Sequence, residues 1–223
     1  VLFSHCSTWV AQGQTGKVGK SLEKILVYLT LILLPITGMC VIAGDQIVEL
    51  FYGRGNFGTN EITLTYSVVI GYSLGFVFQA ARANLVKVFY AFQDSKTPMI
   101  NGMISIVCNI TLSFLLSKFI GISGVSLATS IAMMIATILL LRDVKNYLPG
   151  FSVKSCFSEI RKGITALILS VVVLLLVKEV VNLSTLICLI IEGVVVVTVY
   201  GTILFCLKSK SIGEALDYIK RRT

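Results

Sequence analysis

The sequence predicts an all-α fold: a polytopic transmembrane helix bundle of about six spans plus the tail of a seventh. Three observations carry this. Of 223 residues, 56% are hydrophobic and only 13% charged, and the mean hydropathy is +0.91. An ordinary soluble domain carries about 25% charged residues, so this chain cannot cover a soluble surface. Six apolar runs, near 24–44, 62–84, 98–117, 121–141, 162–181 and 184–207, approach the ~20 residues a spanning helix needs. Finally, if these runs are spans, the segments between them alternate sides. Of 19 basic residues, all but Arg54, Lys118 and Lys178 then share one side. The positive-inside rule makes that side cytoplasmic, and one missed or extra helix would scramble the split.

Along the chain, residues 1–10 read as the tail of the seventh span. The opening "VLFSHCSTWV" lacks Met and lacks the basic start and short apolar core of a signal peptide, so a fragment or an N-terminally truncated product is expected. The first span holds Pro35 in "LILLPITGMC", with Gly38 one turn on. A mid-helix proline removes a backbone hydrogen bond and is expected to kink the span. Val- and Ile-rich runs such as "VVVLLLV" at 171–177 would suggest strands in water. Their length, and the need to pair every backbone group inside lipid, favour helices.

The second span ends in "FQAARANLVKVFYAF", where Gln79, Arg82, Asn84 and Lys87 interrupt an apolar helix. Positions 79, 82 and 83 share a face, as do 84 and 87. Two readings stand: the residues face a polar cavity or partner helix, or Arg82 and Lys87 snorkel to headgroups from near the helix end. A compact turn, "QDSKTP", follows between spans two and three. Asp94 and Lys96 suit the headgroup region. Thr97 is expected as the N-cap and Pro98 at the first helical position. This is either a well-made turn or a hinge that passes motion between two helices.

In the fourth span Gly124, Ala128, Ala132 and Ala136 recur every fourth residue, a small-residue stripe for close helix packing. Residues 142–161 read as a cytoplasmic loop, and 162–207 as two further spans. Glu192, in "LIIEGVVVV", is the deepest acid. It should be protonated, paired or beside water, and it is a candidate for coupling as well as for structural pairing. The tail 208–223 sets Ile212, Ala215, Leu216 and Ile219 on one face with a basic end, as in an amphipathic helix on the cytoplasmic surface.

The same features exclude other classes. The net charge of +8 belongs to loops beside anionic lipid, so nucleic acid is not an expected partner. Six cysteines without a C-x-x-C pair read as small buried hydrophobes. His5 is the one histidine, so no histidine catalysis or metal site is expected. "GQTGK" at 13–17 is too short for a P-loop.

Four stretches carry a family resemblance: "ELFYGRGNF" (49–57), "YSLGF" (72–76), "VFYAFQDSKTPM" (88–99) and "GISGVSLATSI" (121–131). They resemble the MurJ/MviN family of lipid II flippases, within the superfamily of multidrug and oligosaccharidyl-lipid exporters. Phe89, Tyr90, Ala91, Asp94, Lys96, Thr97 and Pro98 match a specific motif of that family in order and spacing. Gly53 to Phe57 add a second match. Gly121 to Ser130 also occur in related polysaccharide exporters and separate members poorly. The family's "VLFP" reads "VLFS" at Val1 to Ser4.

The resemblance implies fourteen helices in all: two six-helix lobes around a central cavity, plus an extra pair. Residues 1–141 would belong to the C-terminal lobe. Residues 162–207 would be the extra pair, which in the family forms a groove for the lipid tail. The family's best-known cavity arginines lie in the first lobe, outside this chain. The implied activity is translocation of a lipid-linked peptidoglycan precursor across the bacterial cytoplasmic membrane by alternating access. No bond is made and no cofactor used, and an ion gradient or membrane potential would drive it. The partners would be the lipid-linked substrate, membrane lipids and a preceding N-terminal lobe, without which the chain is expected to be inactive. Rival readings are an exporter of another lipid-linked oligosaccharide or of drugs, and a non-transporting scaffold of the cell-wall machinery.

Overall fold

A computed structural model describes residues 2–180 and 185–207. Nine α-helices follow in order among them: α1 (Leu2–Ala11), α2 (Thr15–Ile42), α3 (Gly44–Tyr52), α4 (Thr59–Ser73), α5 (Phe76–Ala91), α6 (Lys96–Ile120), α7 (Ile122–Asp143), α8 (Val153–Val180) and α9 (Thr185–Cys206). A single 3-10 turn, Val144–Asn146, follows α7. No strand occurs among the described residues, and the expected helical bundle is what forms. The tail 208–223 lies outside the described residues.

α2 is the spine. Its first half buries Val18 and Leu22 with Cys6 of α1, Leu85 and Phe89 of α5, Leu140 of α7 and Leu148 and Phe151 beyond it. Its second half buries Val27 and Leu31 with Cys156 and Ala166 of α8 and Tyr200 and Leu204 of α9. Burying each such side chain contributes about 1.5–3 kcal/mol in water; within lipid, close packing does most of this work.

Several sequence boundaries need correction. The first span begins at Thr15 rather than 24, so Lys17 and Lys20 lie within the helix. Helix α2 continues through Pro35. The expected 142–161 loop is mostly short, because α8 already starts at Val153. Helices α2, α6, α7 and α9 are each long and apolar enough to cross a membrane. α8 has 28 residues, but its apolar run is only Gly163–Val177, between Lys162 and Lys178. That run is shorter than the about 20 residues a spanning helix needs.

The second span is not one helix. α4 and α5 meet at Leu74–Gly75 with a bend of about 40°. A break inside lipid leaves carbonyls that something must pair. Hydroxyls on two neighbours do so. Ser130 of α7 donates to Gly71 O at 2.5 Å and Thr37 of α2 to Ser73 O at 3.2 Å. Further along, inside α5, Thr137 of α7 adds a bond to Phe78 O at 2.9 Å, and Ser73 donates back to Ile70 O at 2.9 Å, a carbonyl that also accepts Leu74 N–H. Glycine lets the backbones approach. A Cβ on Gly75 would stand 2.6 Å from Ser130 Oγ and 3.1 Å from its Cα. Gly75→Ala should therefore lower stability by about 1–3 kcal/mol, read as an earlier thermal transition in detergent.

α7 thus has two working faces. Gly124, Ala128, Ala132 and Ala136 are buried, and Gly124 lies against the Leu116–Ser117 backbone of α6. Ser105 of α6 donates to Ala132 O at 3.1 Å across the same seam. The opposite face carries Ser126, Ser130 and Thr137 toward α4 and α5.

Candidate functional site

Three places hold the residues singled out in the sequence, and they are separate. The first is the face of α5. Gln79 and Lys87 are exposed, Arg82 and Asn84 half-buried. Asn84 donates to Ala80 O of its own helix at 2.8 Å. None of the four bonds another. Arg82 lies nine residues before the end of α5, ~13 Å along the axis, so it is deeper than a helix-end snorkel. Its Nη1 is 4.0 Å from Met133 Sδ of α7. Gly102 of α6 leaves room for it, a Cβ there standing 3.4 Å from Nη2. Among the described residues no carboxylate pairs with Arg82, and apart from the weak Nη1 contact to Met133 Sδ its guanidinium donors are open to an anionic group.

Nearby, between α6 and α7, Thr129 and Ser113 both donate to Asn109 Oδ1, at 3.3 and 3.2 Å. This polar cluster was missed in the sequence. Only the i, i+4 spacing of Asn109 and Ser113 could have signalled it.

The second place is the turn at residues 92–95. Helix α5 ends in a Schellman motif: Asp94 N–H bonds Phe89 O and Gln93 N–H bonds Tyr90 O, both at 3.0 Å. Gln93 sits at φ 61°, the left-handed position usually given to glycine. The expected N-cap is wrong. Ser95, not Thr97, precedes the helix, and no side chain at that position caps it. Asp94 does the capping. Its Oδ1 accepts from Lys96 N–H and Thr97 N–H, both at 3.0 Å, while Oδ2 accepts the Tyr147 hydroxyl at 2.9 Å. Pro98 is therefore the third helical residue rather than the first, and it is buried.

Hydrogen bonds from the Thr97 side chain and backbone, then from Tyr147 and Lys96, outweigh burial and hold the Asp94 carboxyl below the usual carboxylate range. The same Asp94 bond, with burial and the Asp94 charge, pushes Tyr147 up. Tyr147 also packs edge-on against Phe89, centroids 5.7 Å apart. Beside it, Asn101 of α6 donates to Asp143 Oδ2 at 2.9 Å. The turn is a fastener joining α5, α6 and the end of α7.

The third place is an apolar groove of about 650 Å³ between α2 and α9, lined by Tyr28, Ile32, Pro35 and Met39 on one wall and Val197 and Tyr200 on the other. Glu192 is buried just beyond it, 3% exposed. Gln46 of α3 donates to Glu192 Oε1 at 3.4 Å. Gln46 was not singled out in the sequence, because a single amide on a short helix carries no spacing signal.

A broken, hydroxyl-stitched helix beside an arginine without a carboxylate partner, with an apolar groove along another side, belongs to a helical bundle of the polytopic membrane-protein class. The chain belongs to the family described as Lipid II flippase MurJ, whose model matches residues 1–203. It is 32% identical over 107 residues to the lipid II flippase MurJ of Thermosipho africanus, covering 48% of this chain and 22% of that protein. It is also 32% identical over 130 residues to a probable lipid II flippase MurJ of Treponema pallidum, covering 56% and 25%. These matches thus span about a quarter of the relatives' length. Its fold resembles the solved structure of a lipid II flippase MurJ in an inward closed conformation, with TM-score 0.75 and 21% identity, over 95% of this chain and 43% of that one.

Proposed function

We propose that this chain is part of a flippase that carries the lipid-linked peptidoglycan precursor across the bacterial cytoplasmic membrane without making or breaking a bond. The observation that carries the mechanism is the separation of two surfaces. The α2–α9 groove is apolar along its whole length and suits a polyprenyl tail. The α5 face presents Arg82 without a carboxylate partner and suits an anionic head group. The head group would cross on the polar face while the tail stays in the groove. The basic end of the bundle, with the Asp94 turn, would face the cytoplasm, and so would the C-terminus. An ion gradient or the membrane potential would supply the drive.

The test is a proteoliposome assay with the full-length protein carrying this chain, following fluorescent lipid II reaching the opposite leaflet. Arg82→Ala should slow transfer about ten- to a hundredfold, since a charge-assisted hydrogen bond contributes about 1.5–3 kcal/mol. Arg82→Lys should lose less. Transfer of another lipid-linked oligosaccharide but not of lipid II would move the assignment to a sister exporter. Unaltered transfer in Arg82→Ala would remove the arginine from the path.

A further inference from the structure

Gln46 and Glu192 are one hydrogen short of a complete pair. Gln46 Nε2 donates to Glu192 Oε1 at 3.4 Å. The second oxygen of each head group, Glu192 Oε2 and Gln46 Oε1, is buried without a hydrogen-bond partner among the described residues. Both are acceptors, and an ionised carboxylate has nothing to donate. Buried acceptors left unpaired are rare and call for an explanation. One proton resolves both. Carried on Glu192 Oε2, it can be donated to Gln46 Oε1 and close a two-bond ring over the contact already made.

We propose that Glu192 and Gln46 form a proton-binding site that latches α3 to α9 at one end of the apolar groove. The surroundings leave the proton as the simplest occupant. On α3, Asp45 and Glu49 are exposed. On α8, the buried Ser170 hydroxyl is spent on Ala166 O at 2.7 Å. On α2, Cys40 is half-buried in the groove wall. On α9 itself stand Cys188, one turn before, and Tyr200, two turns on, whose buried hydroxyl is also without a partner among the described residues. Among the described side chains none brings a positive charge to Glu192.

The latch has a mechanical consequence. Ile47 and Gly193, the residues next to Gln46 and Glu192, line the groove. Loss of the proton sets a bare carboxylate against an amide oxygen and drives α3 and α9 apart there. That the groove holds a lipid tail rests on the function proposed above; the latch does not.

Infrared spectroscopy of the full-length protein in lipid tests the site without any transport. A carbonyl band of a protonated carboxylic acid is expected at neutral pH. It should vanish in Glu192→Gln, where two amides rebuild the same ring and keep the fold. It should move toward the frequency of a less hydrogen-bonded acid in Gln46→Leu. As pH rises and the band is lost, Cys40 alkylation, read site by site by mass spectrometry, should rise severalfold over that in Glu192→Gln. Absence of the acid band at neutral pH, its survival in Glu192→Gln, or equal Cys40 alkylation in both proteins would overturn the proposal.

Discussion

Gly124→Leu is expected to separate α6 from α7 and leave little folded protein, while Ile122→Ala in the same turn changes stability by less than about 0.5 kcal/mol. The reason is backbone, not side chain. A Cβ on Gly124 would stand 2.5 Å from the Leu116 carbonyl carbon and oxygen and 2.8 Å from Ser117 N. No rotamer change relieves a contact with main chain, so one helix must move off the other. Ala128, Ala132 and Ala136 then lose their seats along the same seam, each being at most 1% exposed. Overpacking of this kind costs about 1–3 kcal/mol for a single methyl, and a leucine adds three carbons more. The connection cannot relax to help. Gly121 is the one residue between α6 and α7, at φ 61° and ψ −142°, a region that essentially only glycine occupies. Ile122, by contrast, is 61% exposed. Gel filtration in detergent, followed by thermal melting, reads both variants.

The second large effect lies at the other end of the bundle. Asp94→Ala removes every hydrogen bond this carboxylate accepts, from the Lys96 and Thr97 N–H groups, the Thr97 side chain and the Tyr147 hydroxyl. Loss of a helix cap costs about 1 kcal/mol and the tyrosine bond about another. A melting transition lowered by about 2 kcal/mol is expected, with Asp94→Asn retaining part of it. The pH dependence has a definite sign. The Asp94 carboxyl is held below its ordinary value, so its stabilisation is fully present above about pH 3.9, the unfolded value. It is lost as pH falls through the lower, folded value. The wild-type protein should lose stability in that acid window, and Asp94→Ala should not show that component.

What was legible in the sequence follows from what lipid forces on a chain. Spans announced themselves because length and apolarity are nearly sufficient in a bilayer. The break at Leu74–Gly75 did not, since "YSLGF" carries no proline or charge to mark it and the hydroxyls that stitch it, Thr37, Ser130 and Thr137, come from other helices. The Gly124 stripe was visible as a spacing; the Ser130 and Thr137 face one third of a turn and more away was hidden by it. The turn is legible, but residue preference alone places its cap on Thr97. Asp94 took that role because a Schellman motif at Gln93 carries the aspartate back over the start of α6. Glu192 stood out as a deep acid, but its partner Gln46 comes from a helix 146 positions away, which no local pattern reveals.

Expression of the full-length protein in cells depleted of their own lipid II flippase, with labelling of lipid II on the outer leaflet, tests the proposed function most directly. Restored growth together with restored labelling is the expected result, and Arg82→Ala should lower both. Normal membrane abundance with neither growth nor labelling would contradict it.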